Sequence, residues 1–526
     1  MKYTKNYKFK KPEPNDTRNI NDINDSFDLV DTRLKETQDK NTDLQNTFKT
    51  LVETGLLDGG IEETLNQMET QYAPQLNEVK TQLQQITSDL IPTIKLQKVR
   101  NKIVFPKDFV WNGVDVDVYI NKIGEVSANI NYSLKWIGNG KTYYVDRNKS
   151  DSNDGLTKET AFKSIHKALL MSDVDIIYVA DGQYEFDIAF NNSITLSKNI
   201  SIIRYEGANP ILLAGKQNNL IWSKTDGYNN IYQTIRNNAI DLYETDIIDG
   251  FGDYKKMIKK PSISEVDVTS GSYYINGDTV YVNKTDNSQP NKNVLILMNI
   301  HNFYMEGNVK IYLEGLKFYG GKYGCIYYTN KEAIENLLTA VDCEFKYGND
   351  ADGTSAFAVG GATLVGLDCV FINCVNARNK RDGFNYHQNT ENWKKCNSLE
   401  INCVGRHNGI GRGVNQDNGS TTHDGCKAIR INCSYFENEG PNVHDISTNT
   451  QSLNIGCDSY YSVATAVHRR SNYRCESNAK MWNIGCIGYD SDYNCYAVGN
   501  GEMRINKCEF DDNPFEILDT SIIEYY

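Results

Sequence analysis

The sequence predicts a mainly β chain whose body is a solenoid of stacked coils, entered through an N-terminal helical stem. Three observations predict it. A short cysteine-centred motif recurs through the C-terminal half, apolar residues step by three and four through the first ninety positions, and the composition is that of a turn-rich β protein. At 526 residues, with 39 Gly, 34 Tyr, 10 Pro and 5 Trp, the chain exceeds what one compact core usually supports, and an elongated or multi-part molecule is expected.

The stem comes first. Ile20, Ile23, Phe27, Val30, Leu34, Thr37, Asn41, Leu44, Phe48 and Leu51 form a heptad seam, and a helix with one apolar stripe buries it only against another helix or copies of itself. Gly55, Gly59 and Gly60 interrupt the seam. It resumes at Ile61, Leu65, Met68 and Tyr72 and runs to Leu90, with Pro74 marking a stutter or kink. A coiled-coil stem is therefore expected over 20–95, with Asn41 on its seam. Alternating apolar and polar residues over 96–140 predict a β-rich connector.

The body, 141–526, repeats. VDCEF, LDCVF, INCVG, INCSY, IGCDS, IGCIG and INKCEF place Cys343, Cys369, Cys403, Cys433, Cys457, Cys486 and Cys508 at equivalent points, 22 to 34 residues apart. That spacing is one solenoid coil with loops of variable length. Stacked coils bring equivalent side chains to about 4.8 Å, so a small apolar thiol at one inward position forms an internal ladder. All thirteen cysteines lie between Cys325 and Cys508 without a CxxC pair, which favours packing over metal binding or disulfides. The pattern loosens at about 236–294, where an insertion is expected.

Bulk properties exclude several function classes. A net charge of -13 opposes general nucleic-acid binding. The mean hydropathy is -0.55 and no apolar run approaches the roughly 18 residues of a spanning helix, so membrane insertion is not expected. MKYTKNYKFKKPEP is basic without a hydrophobic stretch behind it, unlike a secretory signal.

Two segments resemble known families. FKKPEPNDTRNINDINDSFDLVDTRL, within 1–35, resembles the tail-attachment segment of tail fibre proteins from phages of Gram-positive bacteria. KTYYVDRNKSDSNDGLTKETAFKSIHKALL resembles the start of the pectate-lyase-like β-helix family, where a strand at Tyr143–Val145 and a polar loop precede a short helix near Ala161–Leu170 that caps the open coil end. Together these resemblances imply a right-handed parallel β-helix in a phage tailspike or tail fibre. The implied protein is a homotrimer located in the virion tail, held by baseplate or tail proteins at its N-terminus and engaging a host-surface glycan such as capsule or wall teichoic acid. The family contains hydrolases, lyases and inactive members, so fold is implied more strongly than reaction.

Five of seven histidines, His387, His407, His423, His444 and His468, follow one another at about one coil each. Coil stacking lets such residues share a face. RDGFNYH, THDG and NVHDI add Asp382, Asp424 and Asp445 beside His387, His423 and His444, and these six are the candidate catalytic residues. Two carboxylates one coil apart would stand about 5 Å from each other, as in a retaining glycosidase. Neighbouring His and Asp could instead hold a divalent cation or activate water. Arg381, Arg406, His407 and Arg412 form a basic cluster in an acidic chain, suited to an anionic glycan, while Trp393 and Tyr386 are candidates to stack on sugar rings. Arg412 beside Asp424 is the candidate base of a lyase. The leading expectation is a glycan depolymerase, and the alternative is a non-catalytic receptor-binding protein.

Overall fold

The computed structural model describes residues 100–122, 124–130, 134–135, 138–185, 194–195, 198–306, 308–329, 336–349, 360–388, 394–511 and 515–525, with isolated positions before residue 100. The chain divides into two compact units, Met1–Arg100 with Asn121–Ile123, and Asn101–Ile120 with Gly124–Tyr526. In the first, Lys2–Tyr3 pairs antiparallel with Lys10–Lys11, and Thr32, Lys35 and Glu36 are helical. The heptad stem and the attachment segment otherwise lie outside the described residues.

The second unit is a parallel β-helix. One coil runs through Asp368–Ile372 in a first sheet, Val375–Ala377 in a second and Asp382–His387 in a third, then re-enters the first sheet at Asn397–Ile401. Among the described residues the three sheets hold twelve, ten and ten strands, each paired with its equivalent in the next coil. Alternation decides what the coil encloses, because successive strand side chains point to opposite faces. Phe318, Phe345, Phe371, Phe384 and Tyr386 thus stack in one buried interior.

The cysteines mark the column. Glu344, Val375, Val404, Ser434, Asp458, Ile487 and Glu509 are register partners in the second sheet. The residues immediately before them are Cys343, Cys374, Cys403, Cys433, Cys457, Cys486 and Cys508, none in a disulfide. This corrects the expected ladder at one rung. Cys369 lies inside a first-sheet strand, in register with Leu338 and Ser398, and Cys374 of the neighbouring INC takes its place. Before each column cysteine the chain turns through left-handed backbone, at Asp342, Asn373, Asn402, Asn432, Gly456, Gly485 and Lys507, all but the lysine being residue types that tolerate that region. The outward amides link coil to coil, Asn432 to Asn402 at 2.7 Å and Asn402 to Asn373 at 3.1 Å. A second, buried relay joins Asn379, Asn408, Asn438, Asn442, Asn472 and Asn494.

Three additions clothe the coils. The connector strands Val116–Asn121 and Val126–Ile130 pair antiparallel, and Phe109, Val114, Val116 and Val118 bury the outer face of the first sheet at Val370, Leu399, Ile429, Leu453 and Trp482. A short helix, Ile165–Leu169, is capped by Ser164 and buries Ile165 and Ala168 against the first coil. The insertion begins earlier than the expected 236–294, its strands running from Gly215–Lys216 to Val294–Met298, and forms a four-stranded and a five-stranded sheet with their own core at Trp222, Leu242, Tyr273, Val282 and Ile296. The coil closes beneath it, since Ile211–Leu213 pairs directly with Lys317–Tyr319. No helix among the described residues is long and apolar enough to cross a membrane.

Candidate functional site

Strand parity sorts the expected residues. In Asp382–His387, Phe384 and Tyr386 face the core, so Asn385 and His387 face outward. The register carries this along the third sheet: Asn385 meets Thr421, Thr421 meets His444, and His444 meets Arg474. The structure brings His387, His423 and Asp424 together. His387 Nδ1 lies 3.1 Å from Asp424 Oδ2, and its ring stacks on His423 at 4.3 Å between centroids. His423 Nε2 is 2.9 Å from Thr421 Oγ1. His444 joins a separate pair, its Nε2 3.1 Å from Glu476 Oε2, which also accepts from Arg474 Nε at 2.8 Å. Burial holds the His423 imidazole well below its ordinary range, and the neighbouring His387 and His444 reinforce it.

Parity sends two expected site residues inward, a correction to the outward stripe. Tyr386, Thr422 and Asp445 are register partners on the interior side. Tyr386 is fully buried and donates to Glu400 Oε1 at 3.1 Å, and Asp445 is fully buried against Arg430. Neither is placed to meet a glycan. Trp393 lies outside the described residues.

Asp382 begins the third-sheet strand and belongs to a different cluster, built by the glycine-rich loop after Arg406. Its Oδ1 accepts from Asn418 N at 2.7 Å and Asn418 Nδ2 at 2.9 Å. Next to Asn418, Asp417 is gripped by Arg412 Nη1 at 2.5 Å. Arg412 therefore pairs with Asp417, not with Asp424 as the lyase reading expected. The loop doubles back tightly at Gly409, where φ is +75° and a Cβ would collide with Asp417. Glu439 accepts from the backbone N of Gly411 and Gly413. Burial pushes the Asp417 carboxyl up to about 8, helped by the charge of Asp382, and pushes Asp382 up to about 6 against the pull of Asn418 and Arg381. Asp417 Oδ2, Asn418 Oδ1 and Asn385 Oδ1 are buried without a hydrogen-bond partner among the described residues.

Arg412 also lines a pocket of about 460 Å³ between the insertion and the corner where the second sheet turns into the third. One wall is the insertion hairpin, with Asp241, Tyr243, Ile247, Asp249 and Asp253. The other carries Arg378, Lys380, His407 and Ile410. Five basic side chains face three carboxylates, Lys255 and Lys256 completing the basic set, an excess of positive charge in an acidic chain. Arg406 stands behind this wall, buried against Asp253. His407 pairs with Glu437 and packs edge-on to Phe251 at 5.2 Å. Burial lowers the His407 imidazole to about 4, and Arg378 and Arg406 add to it.

Sequence reading missed Asp249, Asp253, Asp417 and Glu439, whereas Arg378 and Lys380 belong to the basic run beside the histidines that the sequence offers for an anionic glycan. A weak signal existed in IGRGVNQDNGS, an acidic and basic pair in a loop too glycine-rich to be a strand. The divalent cation considered from the His and Asp pattern finds no ligand set, since no group of three or more His, Cys, Asp or Glu among the described residues could hold a metal.

No family model matches the chain, and no curated protein matches it. Solved structures similar to it include a glycoside hydrolase at 9% identity, covering 73% of this chain and 96% of that one with a TM-score of 0.38. A pectate lyase at 11% identity covers 72% and 80%, with a TM-score of 0.30. The A-module of a mannuronan C-5 epimerase from Azotobacter vinelandii, at 12% identity, covers 72% and 99%, with a TM-score of 0.32. Those names describe those proteins. The parallel β-helix of this chain stands on its own strand registers.

Proposed function

We propose that this chain is a glycan-processing subunit of a phage tail, a spike or fibre that binds a host-surface glycan in the pocket and cleaves it beside Asp382 and Asp417. The observation that carries the reading is the pair of carboxyls whose proton affinities are raised to different extents, tied to the pocket through Arg412. Acid-base cleavage of a glycosidic bond needs one carboxyl protonated and one ionised at the same pH, and unequal environments provide this. Asp417 is the proton donor in this reading and Asp382 the base. The basic wall supports an anionic glycan, capsule or wall teichoic acid, as the ligand. The heptad pattern of residues 20–95 supports self-association, with a homotrimer held through its N-terminus to the tail.

A second reading, receptor binding without cleavage, is favoured by one observation. The Asp417 side chain is only 3% exposed and already clamped by Arg412, as in a carboxylate that braces a loop. Incubating purified protein with host wall glycan separates the two. Shortening of the polymer that disappears in Asp417→Asn and Asp382→Asn supports the enzyme, whereas tight binding of a polymer that keeps its length overturns it in favour of the receptor binder.

A further inference from the structure

The sequence predicts the insertion only as a loosening of the repeat, and the structure docks its tip against the coils. Strands Ala239–Ile248 and Tyr254–Lys256 pair antiparallel, and the loop between them is self-braced. Asp249 Oδ1 accepts from Phe251 N at 2.8 Å and Asp253 N at 3.0 Å, while Asp249 N donates to Asp253 O at 3.0 Å. The turn presents Asp253 to the coils with no solvent exposure. Its carboxylate meets Lys346 Nζ at 2.9 Å, Arg378 Nε at 3.2 Å and both terminal nitrogens of Arg406, Nη2 at 3.1 Å.

Those three cations come from three successive coils. Lys346, Ala377 and Arg406 are register partners in the second sheet, and Arg378 follows Ala377. Stacking basic side chains one rung apart is unfavourable by itself, because like charges are held at coil spacing with little water between them. Asp253, reaching in from the insertion, is the one carboxylate among the described residues that meets all three, with Glu344 adding to it at Lys346 and Asp249 at Arg378. Phe251 completes the dock, its ring 4.4 Å from the Arg406 guanidinium and 5.8 Å from Phe436. Asp253, Arg378 and His407 all line the pocket.

We infer that Asp253 is a positioning residue: by holding Lys346, Arg378 and Arg406 across three coils it fixes the basic wall, and it makes the insertion a working part of the binding site. The inference rests on the pocket being the glycan site. It acts through the arginines, so its loss shows first in affinity and only then in turnover.

The test compares wild type, Asp253→Asn and Phe251→Ala, the last loosening the tip without leaving buried cations unpaired. Hydrogen exchange over 247–256 reports docking, calorimetric titration with purified wall-glycan fragments reports affinity, and KM and kcat are taken separately on the polymer. Expected are about tenfold faster tip exchange with coil amides unchanged, and about tenfold weaker glycan binding that appears in KM more than in kcat in both variants. Unchanged tip exchange in both variants overturns the inference, as does freed exchange with unaltered affinity. Wild type that binds no glycan sinks the proposed function instead, and the exchange arm still decides whether Asp253 holds the tip.

Discussion

Arg430 grips both carboxylate oxygens of Asp445, Nη2 to Oδ1 at 2.9 Å and Nη1 to Oδ2 at 3.1 Å, inside the coil where neither side chain has any exposure. Ser420, Thr422 and Asn454 satisfy the remaining guanidinium donors. Breaking such a pair leaves an uncompensated buried charge. Asp445→Asn and Arg430→Met are each expected to destabilise the β-helix by about 3–5 kcal/mol, read as a lowered denaturant midpoint with an unchanged slope. The double substitution Arg430→Met with Asp445→Leu should recover much of the loss. A double variant as unstable as the sum of the singles would show that the pair is not energetically coupled.

Glu400, beside that pair, sets a pH dependence. It accepts from Tyr386, Ser420 and Tyr435, yet burial pushes its carboxyl up to about 7 from an ordinary 4.5. The folded state then holds a proton that the unfolded state releases. The resulting stabilisation is complete below about 4.5 and is lost as pH climbs through about 7. Its full span is about 3 kcal/mol. Glu400→Gln should flatten this part of the stability profile between pH 4.5 and 7, measured by thermal melts across pH, and an identical slope in wild type and variant would refute the assignment.

The Asp382 and Asp417 pair makes a kinetic prediction. Burial raises both carboxyls, so kcat/KM for polymer cleavage should follow a bell, rising as the base of the pair ionises and falling as its acid loses the proton. Asp417→Asn is expected to lower kcat by about 10²–10⁴ and to remove the alkaline limb. Cleavage by Asp417→Asn at the wild-type rate would assign the carboxyl a bracing role.

The buried amide relay should be cooperative. Asn408 accepts from Asn379 N and Nδ2, at 3.2 and 3.0 Å, and donates to Asn438 Oδ1 at 2.9 Å. Asn408→Ala orphans groups on both neighbouring coils, with an expected loss of about 2–3 kcal/mol. Outward Asn402→Ala, whose amides meet water, should lose well under 1 kcal/mol. Equal losses at the two positions, by chemical denaturation, would contradict the relay.

Much of the architecture was legible because a solenoid writes its period into the chain. INC and IGC motifs return once per coil, since the turn before each cysteine needs a residue that tolerates left-handed backbone and the next position needs a small apolar group. The slip at Cys369 shows the limit of that reading. LDCVF and VDCEF look alike as strings, but Cys369 sits within a strand and Cys343 after the turn, and only register distinguishes them. The site was legible in part: His387, His423 and Asp424 meet, while Asp382 joins Asn418 and Asp417 instead.

What the sequence determined alone was the repeat, the heptad pattern of its first ninety-five residues, and the concentration of histidine, aspartate and arginine in the middle coils, because these depend on local periodicity and composition. The tertiary structure decided which side each residue takes and which segments meet. Strand parity turned Tyr386 and Asp445 inward. Folding the insertion back over about ninety to a hundred and fifty residues placed Asp253 among Lys346, Arg378 and Arg406, a contact that no local pattern encodes because each partner lies on a different coil.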